Sequence, residues 1–230
     1  MPRGPLRAPA YAGAPSDPHV DATHPGETNV SLLPLVFTSG WASGINAYAV
    51  VLLMGLLGRY DGVTSVPPAL ERTDVLIIAG VLFLIEAIAD KIPYVDSLWD
   101  LVHTVIRPIA GAVVAALLAG HAHDSLTTLG AAAIGGGTAL VSHLIKAGVR
   151  MGVNTSPEPF SNIALSLAED LGVAGLVALA LFHPVPAAII AGCLLVGGVA
   201  LVLFTLSRIR RFWQRRKERR AARALRTAQA

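Results

Sequence analysis

The chain reads as an all-α, polytopic membrane helix bundle of about six transmembrane helices. Three observations point there. Hydrophobic residues make up 53% of it and charged residues 14%, with a mean hydropathy of +0.60, against roughly 25% charged in a soluble domain. Long stretches carry no formal charge, from Thr28 to Gly58, from Ser125 to Ile145 and from Leu171 to Ser207. Finally, 230 residues hold one bundle of such helices and no second folded domain, since each span takes about 20 residues.

The first span is Leu32 to Leu57, interrupted by Pro34, Gly40, Ser43 and Gly44, which leave Asn46 and Tyr48 near a break. A second runs from about Asp74 to Ile92. Pro93 opens a third helix that reaches about Gly120. Its apolar part, Ile109 to Gly120, is too short to cross alone, so Trp99 to Arg107 must enter the membrane with it. His121 to Asp124 form a turn, and the fourth helix runs from Ser125 to about Gly152. The fifth starts near Pro157 or Pro159. The segment His183-Pro184-Val185-Pro186 turns the chain into a sixth, from about Ala187 to Ser207. Three regions result: a disordered leader 1–31, a helical domain 32–207 and a basic cytoplasmic tail 208–230.

Charge is distributed unevenly. Ten of the 18 Lys and Arg residues lie between Arg208 and Arg226, directly after the last apolar run, which reads as a positive-inside flank attracted to anionic lipid. No folded domain presents this run to a nucleic-acid groove, so no nucleic-acid partner is expected. A single cysteine, Cys193, excludes an internal disulfide or a cysteine zinc framework. Six spans with a basic tail place the protein in a plasma or inner membrane with both termini cytoplasmic, and the pattern leaves an oligomer open. A shift of 64 residues aligns Pro93 with Pro157, Ser97 with Ser161 and Ala110, Gly111 and Val113 with Ala174, Gly175 and Val177, a faint internal repeat.

The chemistry lies in ionisable residues inside the apolar helices. Asp96, Asp100, His103 and Arg107 follow spacings of four, three and four, which puts them within about 60° of arc on one helix face. Glu86 and Asp90, with Lys91 beside them, repeat this on the second helix. His143, Lys146 and Arg150 form a basic stripe on the fourth, and Glu169 and Asp170 lie on the fifth. Asn46 marks the break in the first. Ionisable groups in spans are costly, face a bundle interior, pair with one another and mark function. The favoured reading is a solute, ion or proton pathway opening to the cytoplasm, with His103 as a relay. The alternatives are a scaffold whose pairs only fix helix register and an intramembrane enzyme with a divalent metal on Asp96, Asp100 and His103.

The enzyme reading meets absences. Only the Asp96-x3-Asp100 fragment of a lipid phosphotransferase motif is present. Arg107-Pro108 lacks the Lys six residues earlier that a membrane acid phosphatase wants, and no His-Glu-x2-His motif occurs. No cofactor motif is read. Gly40-x3-Gly44 and Gly135-Gly136-Gly137 suit close helix packing.

The phrases Ser39-Gly-Trp-Ala-Ser-Gly-Ile-Asn-Ala-Tyr48, Glu86-Ala-Ile-Ala-Asp-Lys-Ile-Pro93 and Val95-Asp-Ser-Leu-Trp-Asp-Leu-Val-His-Thr-Val-Ile-Arg-Pro-Ile-Ala-Gly111 resemble a bacterial integral-membrane family, Domain of Unknown Function 4126. The resemblance covers about residues 32 to 207. It implies an integral membrane protein and transfers no catalytic residue.

Overall fold

The computed structural model of the chain describes residues 25–92, 95–120, 125–153 and 159–228, with side chains over 32–92, 95–120, 125–153 and 160–218. Pro93, the turn His121 to Asp124, Pro157 and residues 1–24 lie outside the described residues. Six helices follow one another: α1 (Pro25–Asp61), α2 (Thr73–Ala89), α3 (Val95–Ala119), α4 (Ser125–Val153), α5 (Pro159–Phe182) and α6 (Pro184–Ala228). Five of them are long and apolar enough to cross a membrane. The sixth, α2, has 17 residues, at the short end of what spans.

Helix boundaries follow local chemistry. α1 begins at Pro25, inside the segment read as a leader. Only His183 separates α5 from α6, because Pro184 and Pro186 sit in the first turn of α6, where a missing N–H is no loss. α6 does not stop at Ser207 but continues to Ala228. The basic tail is therefore helical, built from strong helix formers with no Gly or Pro after Gly198.

Helix directions can be read from side-chain contacts. α4 runs antiparallel to α3: Thr104 meets His143, and a Cβ on Gly111 would lie 2.8 Å from Gly135 O. α4 runs parallel to the first half of α1 (25–45), since Ser142 Oγ donates to Trp41 O and Lys146 Nζ to Ile45 O, while a Cβ on Gly40 would press on Gly135. α6 is also parallel to α4, with Gly198 against Ile145 and Gly148 against Val202.

α1 does not continue through the bundle. Asn46 sits at φ −151°, ψ 96°, far from the roughly −63°, −42° of a helix, and this change turns the following axis away from that of the first half. The second half (47–61) then packs antiparallel to α2, with Leu52 beside Gly80 and Gly55 beside Leu76. Both the first half of α1 and α2 bring their C-terminal ends to Lys146. The stretch between must therefore leave that level and come back to it. It leaves toward the apolar end, because Val50 and Met54 are wholly buried in one core with Val66, Leu70, Val114, Leu118, Val177, Ala180 and Ala191.

The first helix is thus a bent hairpin whose apex is Asn46, and it touches all five other helices. The expected six helices are present, and α1 departs from a straight through-going span at this residue. α1 starts and finishes at the apolar end of the bundle, whereas the basic stretch of α6 leaves from the opposite end, and the physical cause is the single non-helical residue. The proposed repeat aligns residues with different surroundings: Gly111 is pressed against α4, while Gly175 meets nothing within 4 Å.

Candidate functional site: a buried polar cluster at the apex of a broken helix

α3 is inverted relative to a soluble amphipathic helix. Asp96, Asp100, His103 and Arg107 are 0%, 4%, 1% and 0% exposed, while Leu98, Leu101, Val102, Val105, Ile109 and Val113 point outward. That is the arrangement a lipid solvent demands. The i, i+4 and i, i+3 spacing brings the polar stripe inward against α2 and α4.

Arg107 is the centre of one half of the cluster. Its Nη2 donates to Glu86 Oε1 at 2.6 Å, and its Nη1 donates to Asp100 Oδ1 at 3.0 Å and to His143 Nδ1 at 2.7 Å. A guanidinium only donates, so His143 accepts at Nδ1 and its Nε2–H donates to Thr104 Oγ1 at 3.0 Å, whose hydroxyl donates to Asp100 O. His103 donates from Nδ1 to Trp99 O at 2.8 Å and accepts at Nε2 from the Tyr48 hydroxyl at 3.0 Å. Trp99 lies over the same imidazole, ring centroids 4.7 Å apart. Both histidines are satisfied as neutral rings in this network.

The other half is built on Asp90. Lys146 Nζ donates to Asp90 Oδ2 at 2.8 Å, and Arg150 donates to the same oxygen at 2.9 Å and to the Asp90 carbonyl at 3.0 Å. Arg150 also pairs with Glu169 Oε2 at 2.5 Å and lies 3.6 Å from Asp96 Oδ2. Lys146 reaches Glu86 at 3.7 Å and Glu169 at 3.4 Å. Asp90, Lys146 and Arg150 are each at most 3% exposed, so mutual neutralisation offsets the several kcal/mol that each ion loses with its water.

The apex of α1 enters this cluster directly. Asn46 Oδ1 accepts from the Ala49 N–H at 2.9 Å, an N-cap for the second half of α1, and its Nδ2 donates to Asp170 Oδ1 at 3.1 Å. Lys146 satisfies the Ile45 carbonyl left free where the first half ends. Non-helical backbone at membrane depth survives only where protein or a wet cavity surrounds it.

Most of the residues read from sequence converge. Glu86, Asp90, Asp96, Asp100, Arg107, Lys146, Arg150 and Glu169 form one ion-pair network, with His143 attached by its hydrogen bond to Arg107, Asn46 and Asp170 bonded to each other, and His103 bonded to the first turn of the hairpin's second half. Lys91 does not join: its Nζ bonds Ala87 O at 2.7 Å at the rim. Asp96, Asp100 and His103 do not assemble as a metal triad, since each has its own partner, and among the described residues no group of three His, Cys, Asp or Glu is placed to hold a metal ion. The sequence reading missed Asn162, whose Nδ2 donates to Asp90 O at 3.1 Å, and Ser166, both 1% exposed. Their spacing of four with Asp170 was the available signal.

A family model, Domain of unknown function (DUF4126), matches residues 33–204. The chain belongs to this family. The matched DUF4126 segment contains the hairpin from residue 33 onward, its apex at Asn46 and every member of the cluster. No curated protein and no solved structure matches the chain.

Charge does not balance in the cluster of this DUF4126 protein. Glu86, Asp90, Asp96, Asp100, Glu169 and Asp170 face three buried cations, Arg107, Lys146 and Arg150. Even with Lys91 counted at the rim, carboxylates outnumber cations. Among the described residues no cation lies within ion-pair distance of Asp170, whose hydrogen-bond partner is the neutral Asn46 amide; Lys146 and Lys91 act on it only at longer range.

Proposed function

We propose that this DUF4126 chain is a multi-pass membrane protein that moves a small cation or a proton through the polar cluster, and that the closed network is its occluded state. One observation carries the reading: a helix broken at Asn46 inside a buried cluster whose carboxylates exceed its cations. Broken helices at membrane depth are where transported ions are commonly held, because freed backbone groups and half-helix ends bind charge there. Excess buried negative charge wants a proton or a cation.

The cluster end faces the cytoplasm of a plasma or inner membrane in this proposal. Arg150, Lys91 and the run from Arg208 to Lys217 gather there, while Arg59 and Arg72 at the other end are offset by Asp61, Glu71 and Asp74. With α1 a hairpin, α2 to α6 make the crossings, so the start of α1 lies on the outer side and the tail inside. The tail's partner is anionic lipid.

The test is ion and proton flux in proteoliposomes with wild type, Asp170→Asn and Asp100→Asn. Flux present in wild type and lost in both variants while thermal unfolding stays cooperative is the expected result; absence of flux for protons and alkali ions alike sinks it. A second reading, a scaffold, draws on the closed pairing itself, and it wins if no flux is found and a stoichiometric partner protein copurifies.

A further inference from the structure

Three oxygens around the C-terminal end of α2 are sealed from solvent without any hydrogen-bond partner: Asp90 Oδ1, Asn162 Oδ1 and Ser166 Oγ. Their residues are 2%, 1% and 1% exposed. The Asn162 amide donates to the Asp90 carbonyl at 3.1 Å, which fixes its own Oδ1 nearby. Ser166 is one turn further along the same face of α5, and Asp170 one turn beyond that.

The chemistry of this group is one-sided. A carboxylate oxygen and an amide oxygen only accept, and a hydroxyl can always turn a lone pair inward. Leaving such acceptors buried and unmet costs about 1–3 kcal/mol each. An electropositive guest removes that cost. Two further features favour it: the group lies at the carbonyl end of α2, negative by its dipole, and the ion-pair network around it holds five carboxylates, Glu86, Asp90, Asp96, Asp100 and Glu169, against three cations, Arg107, Lys146 and Arg150.

We propose that Asp90, Asn162 and Ser166 bind an alkali cation at the α2–α5 junction. This rests on the transport reading and names its ion. A divalent ion is disfavoured because such ions take several carboxylates, and here one carboxylate oxygen, whose neighbour oxygen already holds Lys146 and Arg150, stands with two neutral oxygens.

Ser166→Ala is the informative variant. Its Oγ satisfies nothing in the fold, so its removal leaves the ion-free protein as stable as before, or more so, while taking away one ligand. Thermal unfolding of the full-length chain in detergent is followed at fixed ionic strength in NaCl, KCl, LiCl or choline chloride. A saturable rise over choline is expected for one alkali ion, about 4 °C at roughly ten times its dissociation constant. In Ser166→Ala the unfolding temperature in choline is no lower than in wild type, and the ion concentration giving half the rise increases tenfold or more; Asn162→Ala shifts the half-rise concentration in the same direction. Equal responses to alkali ions and choline, or an unaltered half-rise concentration in Ser166→Ala, overturn the site. A saturable alkali response without vesicle flux keeps the site and removes transport. Proton flux without any alkali response does the reverse.

Discussion

Replacing Arg107 with methionine tests whether the cluster is sealed. The guanidinium is fully buried and bonds Glu86 Oε1, Asp100 Oδ1 and His143 Nδ1 at 2.6, 3.0 and 2.7 Å. Methionine fills similar volume without donors, so two carboxylates and an imidazole nitrogen lose their partner at once. Removing one member of a buried pair costs about 4 kcal/mol, which for a chain of this length is a fall of about 12 °C in unfolding temperature. Glu86→Gln in the same chain removes the charge that Arg107 neutralised, so the double variant recovers about 2 kcal/mol relative to the sum of the single changes. Thermal unfolding of the four proteins in one detergent supplies the cycle. An Arg107→Met protein within about 1 kcal/mol of wild type, or strict additivity in the cycle, would mean that water reaches these charges and that the network is not the closed unit described above.

Other outcomes follow from the hairpin. With Cys193 replaced, cysteines introduced at Ser65 and at Arg211 are labelled from opposite faces of the membrane, and a reporter fused before Pro25 reports the Ser65 face; labelling of the fused end from the Arg211 face would mean that α1 crosses. Gly44→Val destabilises by about 1–3 kcal/mol, because a side chain there meets Ala139 O and Ser142 Oγ, whereas Gly137→Ala, mid-helix where nothing lies within 4 Å, does not destabilise and gains up to about 1 kcal/mol from helix propensity. Asn46→Ala lowers stability by about 1 kcal/mol through the lost cap, and more where Asp170 is left charged without its amide; Asn46→Ser, which keeps a cap oxygen, falls between, and an Asn46→Ala protein as stable as wild type would remove the apex from the argument.

Sequence alone determined the class and most of the ionisable members of the cluster, though not that Lys91 stays at the rim. Apolar length forces helices to satisfy their own backbone in lipid, and the spacing of Asp96, Asp100, His103 and Arg107 puts them on one face whatever the neighbours are. Their cost in lipid then directs that face inward, and the burial of all four agrees. The tertiary structure decided what spacing within one helix cannot carry: which stripe meets which, and in what direction the chain runs. Asn46 was legible as lying near a break, but a kink and a reversal share the same local sequence, and only the packing of Leu52 on Gly80 together with Lys146 on Ile45 separates them. The same holds for Asn162 and Ser166, ordinary polar residues in sequence, whose importance comes from the α2 terminus that the fold sets against them.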